Sequence, residues 1–540
     1  MSNGFIDSLP PELINAILEK VPISDHQATV WSLMKANPRL PIRLSHLFQS
    51  IRITQPQQAI LLYQHLRRHG PFQIDTNSDA EPHPISWIQD VLVECWTVDA
   101  DVIINLLRLL PRLRTLSIWI GAHNFSPEHL EELFEKSIHG LLSLSIRFRP
   151  YVQRANYYQF LKGAYFDSLL FALAKWPAED CCPVLSLVQD KFPEASQTFA
   201  QPIVFFRLDT CLSAFLHSGG WSSSLTAFQL RLPSRPVIRS MCGTPMAAGT
   251  GSFQTNLAPP NLEFLDLSTC AVLDSEIDTV LAHFSNMKHL ILDGCPILRG
   301  DLREGDWNSL GKRCALVGSK RAKEREKMLK AWTEARSQAV QSAGLQNNQI
   351  RPQKQKRGRK GLATSTLSLR KPRSEPSYSL PPGTLTSQHA PDPELAAKVR
   401  VIPGPPTLKS LSFTISGSVQ PEKLDAVRSE FEAGWAEGIA VLGVTRARLR
   451  TSAFNGHIRA MRITLIGAEE SEQWDDGLDG LEDVDPEDES FLGKVDDGSN
   501  PLLAMLDAPV LCFAGYDEGH MHSKHCGHLV AERLMGAQPI

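Results

Sequence analysis

Leu262-Glu263-Phe264-Leu265-Asp266-Leu267-Ser268-Thr269-Cys270 and Met287-Lys288-His289-Leu290-Ile291-Leu292-Asp293-Gly294-Cys295 are one phrase written twice, 25 residues apart. Each carries an apolar residue at its first, fourth and sixth positions and cysteine at its ninth. The same spacing recurs outward from this pair. Upstream stand Leu225/Phe228/Leu230 and, 22 residues earlier, Ile203/Phe206/Leu208 with Cys211 in the ninth place. Nearer the amino end, Ile88/Val91/Val93, Leu113/Leu116/Ile118 and Leu141/Leu144/Ile146 follow at offsets of 25 and 28. Downstream, Leu408/Leu411/Phe413 and Ile458/Met461/Ile463 lie 50 apart, two periods. One such triplet arises readily by chance, whereas linked offsets do not. Each unit predicts a short strand with its aliphatic positions inward, then a turn and a helix packed behind it. A cysteine closing the unit acts as a small buried hydrophobe whose S–H reaches a loop carbonyl.

Two stretches interrupt the period, 151–200 and 232–260. The first holds the amphipathic pattern Tyr165-Phe166-x-x-Leu169-Leu170-x-x-Leu173, a helix that Trp176-Pro177 ends. The second contains Cys242–Gly251, rich in Gly and Ala but without the Lys and Ser/Thr of a phosphate-cradling loop, so a surface loop is expected. The units resemble leucine-rich repeats of the cysteine-containing kind, which implies an irregular α/β solenoid, a partly closed horseshoe. A set of unrelated β–α units is the other reading. In such a repeat the residues between buried positions face the concave surface. They include Thr115, Ser117 and Trp119, Ser143, Ser145 and Arg147, and Gln229 and Arg231, together with Arg207, Asp266, His289 and Asp293. Trp119, Arg147, Arg207, Arg231, Asp266 and Asp293 are the candidate target-binding residues, tryptophan and arginine being the usual anchors of a protein-binding hot spot. A solvated ribbon of polar residues is the alternative.

The first fifty residues read differently. Leu9-Pro10-Pro11-Glu12-Leu13 opens a helix, with prolines in its first turn and Glu12 at its positive end. Leu13, Ile14, Ile17, Leu18 and Val21 give it an apolar face; Val30, Leu33 and Met34 mark a second helix, with Trp31 beside them; Leu40, Leu44, Leu47 and Phe48 mark a third stripe. Three short helices cannot bury all these faces among themselves, and the surplus predicts a helical partner. This arrangement resembles the F-box, in the fungal form that ends in a strand like His46-Leu47-Phe48-Gln49-Ser50-Ile51-Arg52-Ile53. The middle segment, Trp31–Asn37, lacks the Val-Cys-Arg-x-Trp core common in that family. The resemblance implies binding to a Skp-type adaptor and through it to a cullin–RING ubiquitin ligase. Leu9, Pro10, Leu13, Ile17, Leu18, Val21, Leu33 and Phe48 are then the adaptor-facing residues. A bundle capping the repeat array is the competing reading.

Charge is segregated along the 540 residues, so a net charge of −4 says little. Between Lys312 and Arg373 stand 18 Lys/Arg against 3 Glu. Residues 319–340 predict a basic helix, 341–400 predict disorder, and Lys354–Lys360 suits nuclear import or a polyanion. The opposite block, 469–497, holds 14 Asp/Glu and one lysine. Only one aromatic, Trp332, stands among the basic residues, so solvated linkers are preferred to nucleic-acid binding; mutual masking of the two blocks is a further possibility. Ten scattered cysteines and no signal peptide fit a reducing compartment, cytoplasmic and/or nuclear, and no apolar run is long enough to span a membrane. At the C-terminus His520, His522, His525, Cys526 and His528 cluster, but with no second ligand pair at a familiar spacing a polar helix start is expected, with no metal and no cofactor. No Gly-x-Ser-x-Gly, His-Glu-x-x-His or P-loop occurs, and Cys181-Cys182 read as core residues, so the protein is expected not to be an enzyme.

The fold expected is therefore α/β. A three-helix F-box (1–54) precedes a leucine-rich-repeat-like domain (55–311), a basic disordered insert (312–400) and further repeat-like units (401–467). An acidic linker (468–500) and a C-terminal cap (501–540) complete the chain. The function expected is target selection for a cullin–RING ligase. An interaction scaffold without a ligase role, and a nuclear nucleic-acid-associated protein acting through the insert, are the alternatives.

Overall fold

A computed structural model describes residues 9–21, 23–43, 45–68, 84–121, 124–149, 164–190, 208–242, 259, 261–296, 305–347, 399–414, 421–464, 480–484, 506–514 and 522–535. The chain divides into two compact units, Met1–Arg321 with Pro403–Ala447 and Glu489–Ile540, and Ala322–Ile402 with Arg448–Asp488.

The first unit is built on a ten-stranded, wholly parallel sheet. Its strands are β1 (Ser50–Ile53), β2 (Asp90–Val93), β3 (Thr115–Ile120), β4 (Ser143–Phe148), β5 (Val184–Gln189), β6 (Ala227–Arg231), β7 (Phe264–Asp266) and β8 (His289–Ile291). After β9 (Val399–Val401), which belongs elsewhere, come β10 (Ser410–Ser412) and, beyond β11 (Arg459–Ile463) and β12 (Leu481–Asp483), β13 (Val510–Cys512). Each strand of the large sheet pairs with the next one in chain order, from β1 through β8 to β10 and β13. One register column runs across all ten: Ile51, Val91, Leu116, Leu144, Leu185, Phe228, Leu265, Leu290, Leu411 and Leu511.

That column explains the periodicity of the sequence. Side chains on a strand alternate between faces, so one aliphatic residue per strand at matched register makes a continuous apolar ridge. Helices on the crossovers cover it, among them Ala100–Leu107, Pro127–Phe134, Ala164–Leu173, Leu208–Leu216 and Asp274–His283. Asp99 caps the first by accepting from Asp101 N, and Ser126 with His129 forms a capping box on the second. Tryptophans tie neighbouring crossovers together. Trp176 Nε1 donates to Phe134 O at 2.9 Å and Trp221 Nε1 to Leu173 O at 2.7 Å, with 5.9 Å between the two rings. The repeat cysteines sit as expected: Cys270 Sγ donates to Leu230 O at 3.2 Å and Cys295 Sγ to Leu267 O at 3.3 Å.

Helix–helix contact is closest where glycine permits it. Gly434, in the long helix Pro421–Phe454, meets the carbonyl of Asn308 in the helix Asp306–Ala315, and Gly311 of that helix meets the carbonyl of Phe431. A Cβ at either glycine would occupy the space of those backbone atoms.

Three expectations need correcting. Leu208, expected to end a strand, opens the helix Leu208–Leu216, which buries Leu212, Phe215 and Leu216; Ile203 and Phe206 lie outside the described residues. The strand at this place in the sheet is β5, inside the stretch read as an interruption. Ile458/Met461/Ile463 does form a strand, β11, but in the second unit, where it pairs with β9 and β12 in a three-stranded sheet. Leu329, Val399, Met461 and Leu481 form the core there. The basic helix runs from Val317 to Asn347, into the stretch expected to be disordered, and the remainder to 398 lies outside the described residues.

Candidate functional site

Two surfaces of the first unit present side chains suited to a partner. The first is the amino-terminal helix Pro11–Leu18. Its inward face places Ile14 and Leu18 with Val30 and Ile42 in a small core, around which Leu9, Leu33, Met34, Leu40 and Leu47 pack. The other face has no such cover among the described residues. Pro10 is exposed, and Leu13 and Ile17 keep 51% and 55% of their surface open to solvent. Leu13 and Ile17 stand one turn apart, so they form one ridge. Trp31, on the helix Ile23–Ala36, is 51% exposed, with the Lys35 ammonium 4.8 Å from its ring centroid.

Of the eight residues expected to face an adaptor, Pro10, Leu13 and Ile17 point outward. Leu18 does not, being 1% exposed and four positions after Ile14 on the inward face. Leu9 and Leu33 lean on the small core, Val21 is half-buried, and Phe48 packs on the main core with its ring 6.2 Å from that of Trp87. Trp31 lies outside that expected set, in the segment Trp31–Asn37 that lacks the family core.

The second surface is the sheet face opposite the aliphatic column, and its two halves differ. On β3 the burial alternates, with Thr115, Ser117 and Trp119 partly open, whereas every residue of β5 and β6 is buried. The C-terminal helix Gly527–Met535 makes the difference: its Ala531, with Val530 and Met535, packs on Val184, Ala227, Phe264 and Ile291. On the open half, Trp119 lies 4.8 Å from Trp96, with the guanidinium of Arg147 5.3 Å from the Trp119 ring and that of Arg149 5.8 Å from the Trp96 ring. Arg147 Nε also donates to Asp190 at 2.5 Å. Burial raises the Asp190 carboxyl and the charge of Arg147 opposes it. Trp96 and Arg149 stand just beyond their strands, at positions the repeat template leaves blank.

Three of the remaining target-binding candidates, Arg231, Asp266 and Asp293, are buried. Arg231 and Asp266 are 2% and 0% exposed and bonded to each other at 2.8 Å. Gln229 Nε2 donates to the same carboxylate at 2.7 Å, and Ser268 donates through both N and Oγ. Burial alone would raise the Asp266 carboxyl; Arg231 and these hydrogen bonds outweigh it and hold it below its ordinary value. Asp293 is 1% exposed and bonded to His528. Arg207 lies outside the described residues.

The ionic tract is partly consumed within the fold. Lys312 pairs with Glu437, Arg313 with Asp274 and Lys320 with Asp278, while Arg321 donates to the carbonyls of Leu281 and Ala282. In the acidic block, Glu482 and Asp483 pair with Arg462 and Arg459 of the neighbouring strand rather than with the basic tract. Residues 354–360 and most of 469–497 lie outside the described residues.

Cys181, Cys182 and Cys270 are buried and held in the thiol form. Burial pushes Cys181 and Cys270 up to about 12 and Cys182 higher still. Among the described residues one group could hold a metal ion, Cys512, His522, Cys526 and His528. His525 is exposed and His520 lies outside the described residues. The sequence concealed this group because Cys512 stands apart from the histidine cluster, at the end of the strand Val510–Cys512.

Comparison with models of known protein families, and with the curated proteins, finds no match to this chain. No helix among the described residues is long and apolar enough to cross a membrane.

Proposed function

We propose that the chain is the target-selecting subunit of a cullin–RING ubiquitin ligase. Its amino-terminal helices would act as an F-box, and its parallel sheet would be an irregular leucine-rich-repeat horseshoe. The observation that carries this reading is the Pro10–Leu13–Ile17 ridge with Trp31, left uncovered on a unit whose own core is already closed by Ile14, Leu18, Val30 and Ile42. Exposed large apolar side chains grouped on one small helical unit mark an interaction site, and an amphipathic helix of an adaptor is the partner that fits such a ridge. β1 supports the reading from the other end: the strand that closes the amino-terminal motif is also the first strand of the sheet, which couples the docking module to the target-binding face.

In this reading Trp96, Trp119, Arg147 and Arg149 form the target-binding patch on the open half of the sheet. Stacked tryptophan and arginine supply contact area and bidentate donors together, which suits a peptide bearing a carboxylate or phosphate group. The receptor needs no active site, because the conjugating enzyme on the RING subunit does the chemistry and the receptor raises the local concentration of target lysines.

Copurification of the full chain with a Skp-type adaptor and cullin tests the proposal. Adaptor and cullin accompany the wild-type chain and the Trp119→Ala/Arg147→Ala variant, and are lost with Leu13→Asp/Ile17→Asp. Retention of both with the ridge variant, or their absence from the wild type, contradicts the reading. A scaffold without a ligase role predicts the second of these results.

A further inference from the structure

At the last strand of the sheet, β13 ends on Cys512, and the chain then presents His522, Cys526 and, in the first turn of the helix Gly527–Met535, His528. One ligand atom from each of the four lies within 4.8 Å of all the others. His522 Nδ1 stands 3.6 Å from Cys512 Sγ and 3.7 Å from Cys526 Sγ. A tetrahedral zinc ion holds sulfur at about 2.3 Å and nitrogen at about 2.0–2.1 Å, which separates adjacent sulfur and nitrogen ligands by roughly 3.6 Å. The spacing observed is the edge of that tetrahedron.

We propose that Cys512, His522, Cys526 and His528 form a structural zinc site that fastens the C-terminal helix across the sheet. Two thiolates and two imidazoles select zinc over magnesium or calcium, which take oxygen ligands. Four protein ligands leave no open position for water or substrate, which is the arrangement of a structural site. Cys512 and Cys526 are both 0% exposed and His528 is 2% exposed, and Ala514, Val510 and Leu529 line the group with apolar surface.

The shell around the site is built as well. His528 Nε2 bonds to Asp293 Oδ2 at 2.7 Å, from the turn that follows β8. A carboxylate on one ring nitrogen fixes the imidazole so that the other, Nδ1, faces the metal, the usual support for a zinc-bound histidine. Gly527, between Cys526 and His528, sits so close to the sheet that a Cβ would come within 3.0 Å of Ile291 Cγ1 and 3.2 Å of Ser412 Oγ. A side chain there would have to displace those atoms by a few tenths of an ångström, so glycine lets the ligand loop seat closely on the sheet face.

The inference goes beyond the ligase reading and stands without it. Elemental analysis of the full chain, purified under reducing conditions without chelator, is expected to give one zinc per molecule. Cobalt exchanged into the site is expected to show the intense visible bands of a tetrahedral centre and a thiolate-to-metal charge-transfer band. Cys526→Ser should abolish both. Asp293→Asn, which keeps all four ligands, should weaken zinc about 10- to 100-fold in competition with a chromophoric chelator. Amide exchange of residues 527–535 should rise when zinc is removed, while that of the helix Pro127–Phe134 stays unchanged. A metal-free chain with free thiols, a Cys512–Cys526 disulfide in its place, or a pale octahedral cobalt spectrum overturns the proposal. Should Cys526→Ser fail to fold, the wild-type cobalt spectrum decides by itself.

Discussion

Leu13 and Leu18 lie in the same two helical turns and do opposite work. Leu18 closes a core with Ile14, Val30 and Ile42, while Leu13 stays in water beside Ile17. The sequence displays both as apolar positions of one stripe, and only the direction of each side chain separates the core from the exposed ridge. Arg231 and Asp266 make the same point with charge. Both occupy strand positions that face away from the aliphatic column, where a leucine-rich repeat would offer them to a target. They are instead sealed in a network with Gln229, Ser186 and Ser268. Nothing local in the sequence announces this, because what pairs them is the register between β6 and β7. Removing one partner from a buried pair strands the other charge at a cost of about 3–5 kcal/mol, whereas replacing both with apolar groups is often close to neutral. Chemical denaturation of Arg231→Met, Asp266→Leu and the double variant should show two strongly destabilised single variants and a double variant nearer the wild type. Additive losses would mean that the two residues act independently.

Among the elements, strands were legible where the period repeated and illegible where it broke. β2, β3, β4, β6, β7, β8 and β10 fall on triplets that the spacing singled out. β5 escaped because Val184-Leu185-Ser186-Leu187-Val188-Gln189 is buried on both faces and stands out of step with its neighbours. β13 escaped because the long helix Pro421–Phe454 and a second small sheet separate it from β10, and only the folded chain brings Val510 beside Ser410. The C-terminal helix was likewise unreadable as a cover for the sheet, since its contacts reach back to Val184 and Ala227. At this scale the closest approach is that of the helices Asp306–Ala315 and Pro421–Phe454. Gly434→Ala should force these helices apart and lower the midpoint of thermal unfolding, whereas Gly456→Ala, at a left-handed turn with nothing near its Cβ position, should disturb only its own loop. Equal losses from the two changes would show that backbone strain, not helix approach, sets the need for glycine.

Over the whole molecule, the α/β class and the succession of strand-then-helix units could be read from linked offsets, and which residues of the amino-terminal apolar stripe stay in water could not. Folding buries His283 against the ring of His217, 6.0 Å away, and of Phe284, with the charge of Arg321 nearby. Burial, with His217 and Arg321 adding to it, lowers His283 to about 4. The unfolded chain therefore takes up a proton near pH 6.5 that the folded chain refuses, so stability falls as pH drops from 6.5 toward 4. Thermal midpoints across that range should fall less steeply in His283→Gln than in the wild type, and parallel curves would assign the acid sensitivity to other groups. The central claim is that the ridge is a docking site. Its most direct measurement is calorimetric titration of the purified full chain with a purified Skp-type adaptor. The account predicts one-to-one binding at ~1 µM or tighter, weakened at least ~100-fold by Leu13→Asp/Ile17→Asp with the thermal midpoint unchanged. No binding by the wild type, or equal binding by a folded ridge variant, would contradict it.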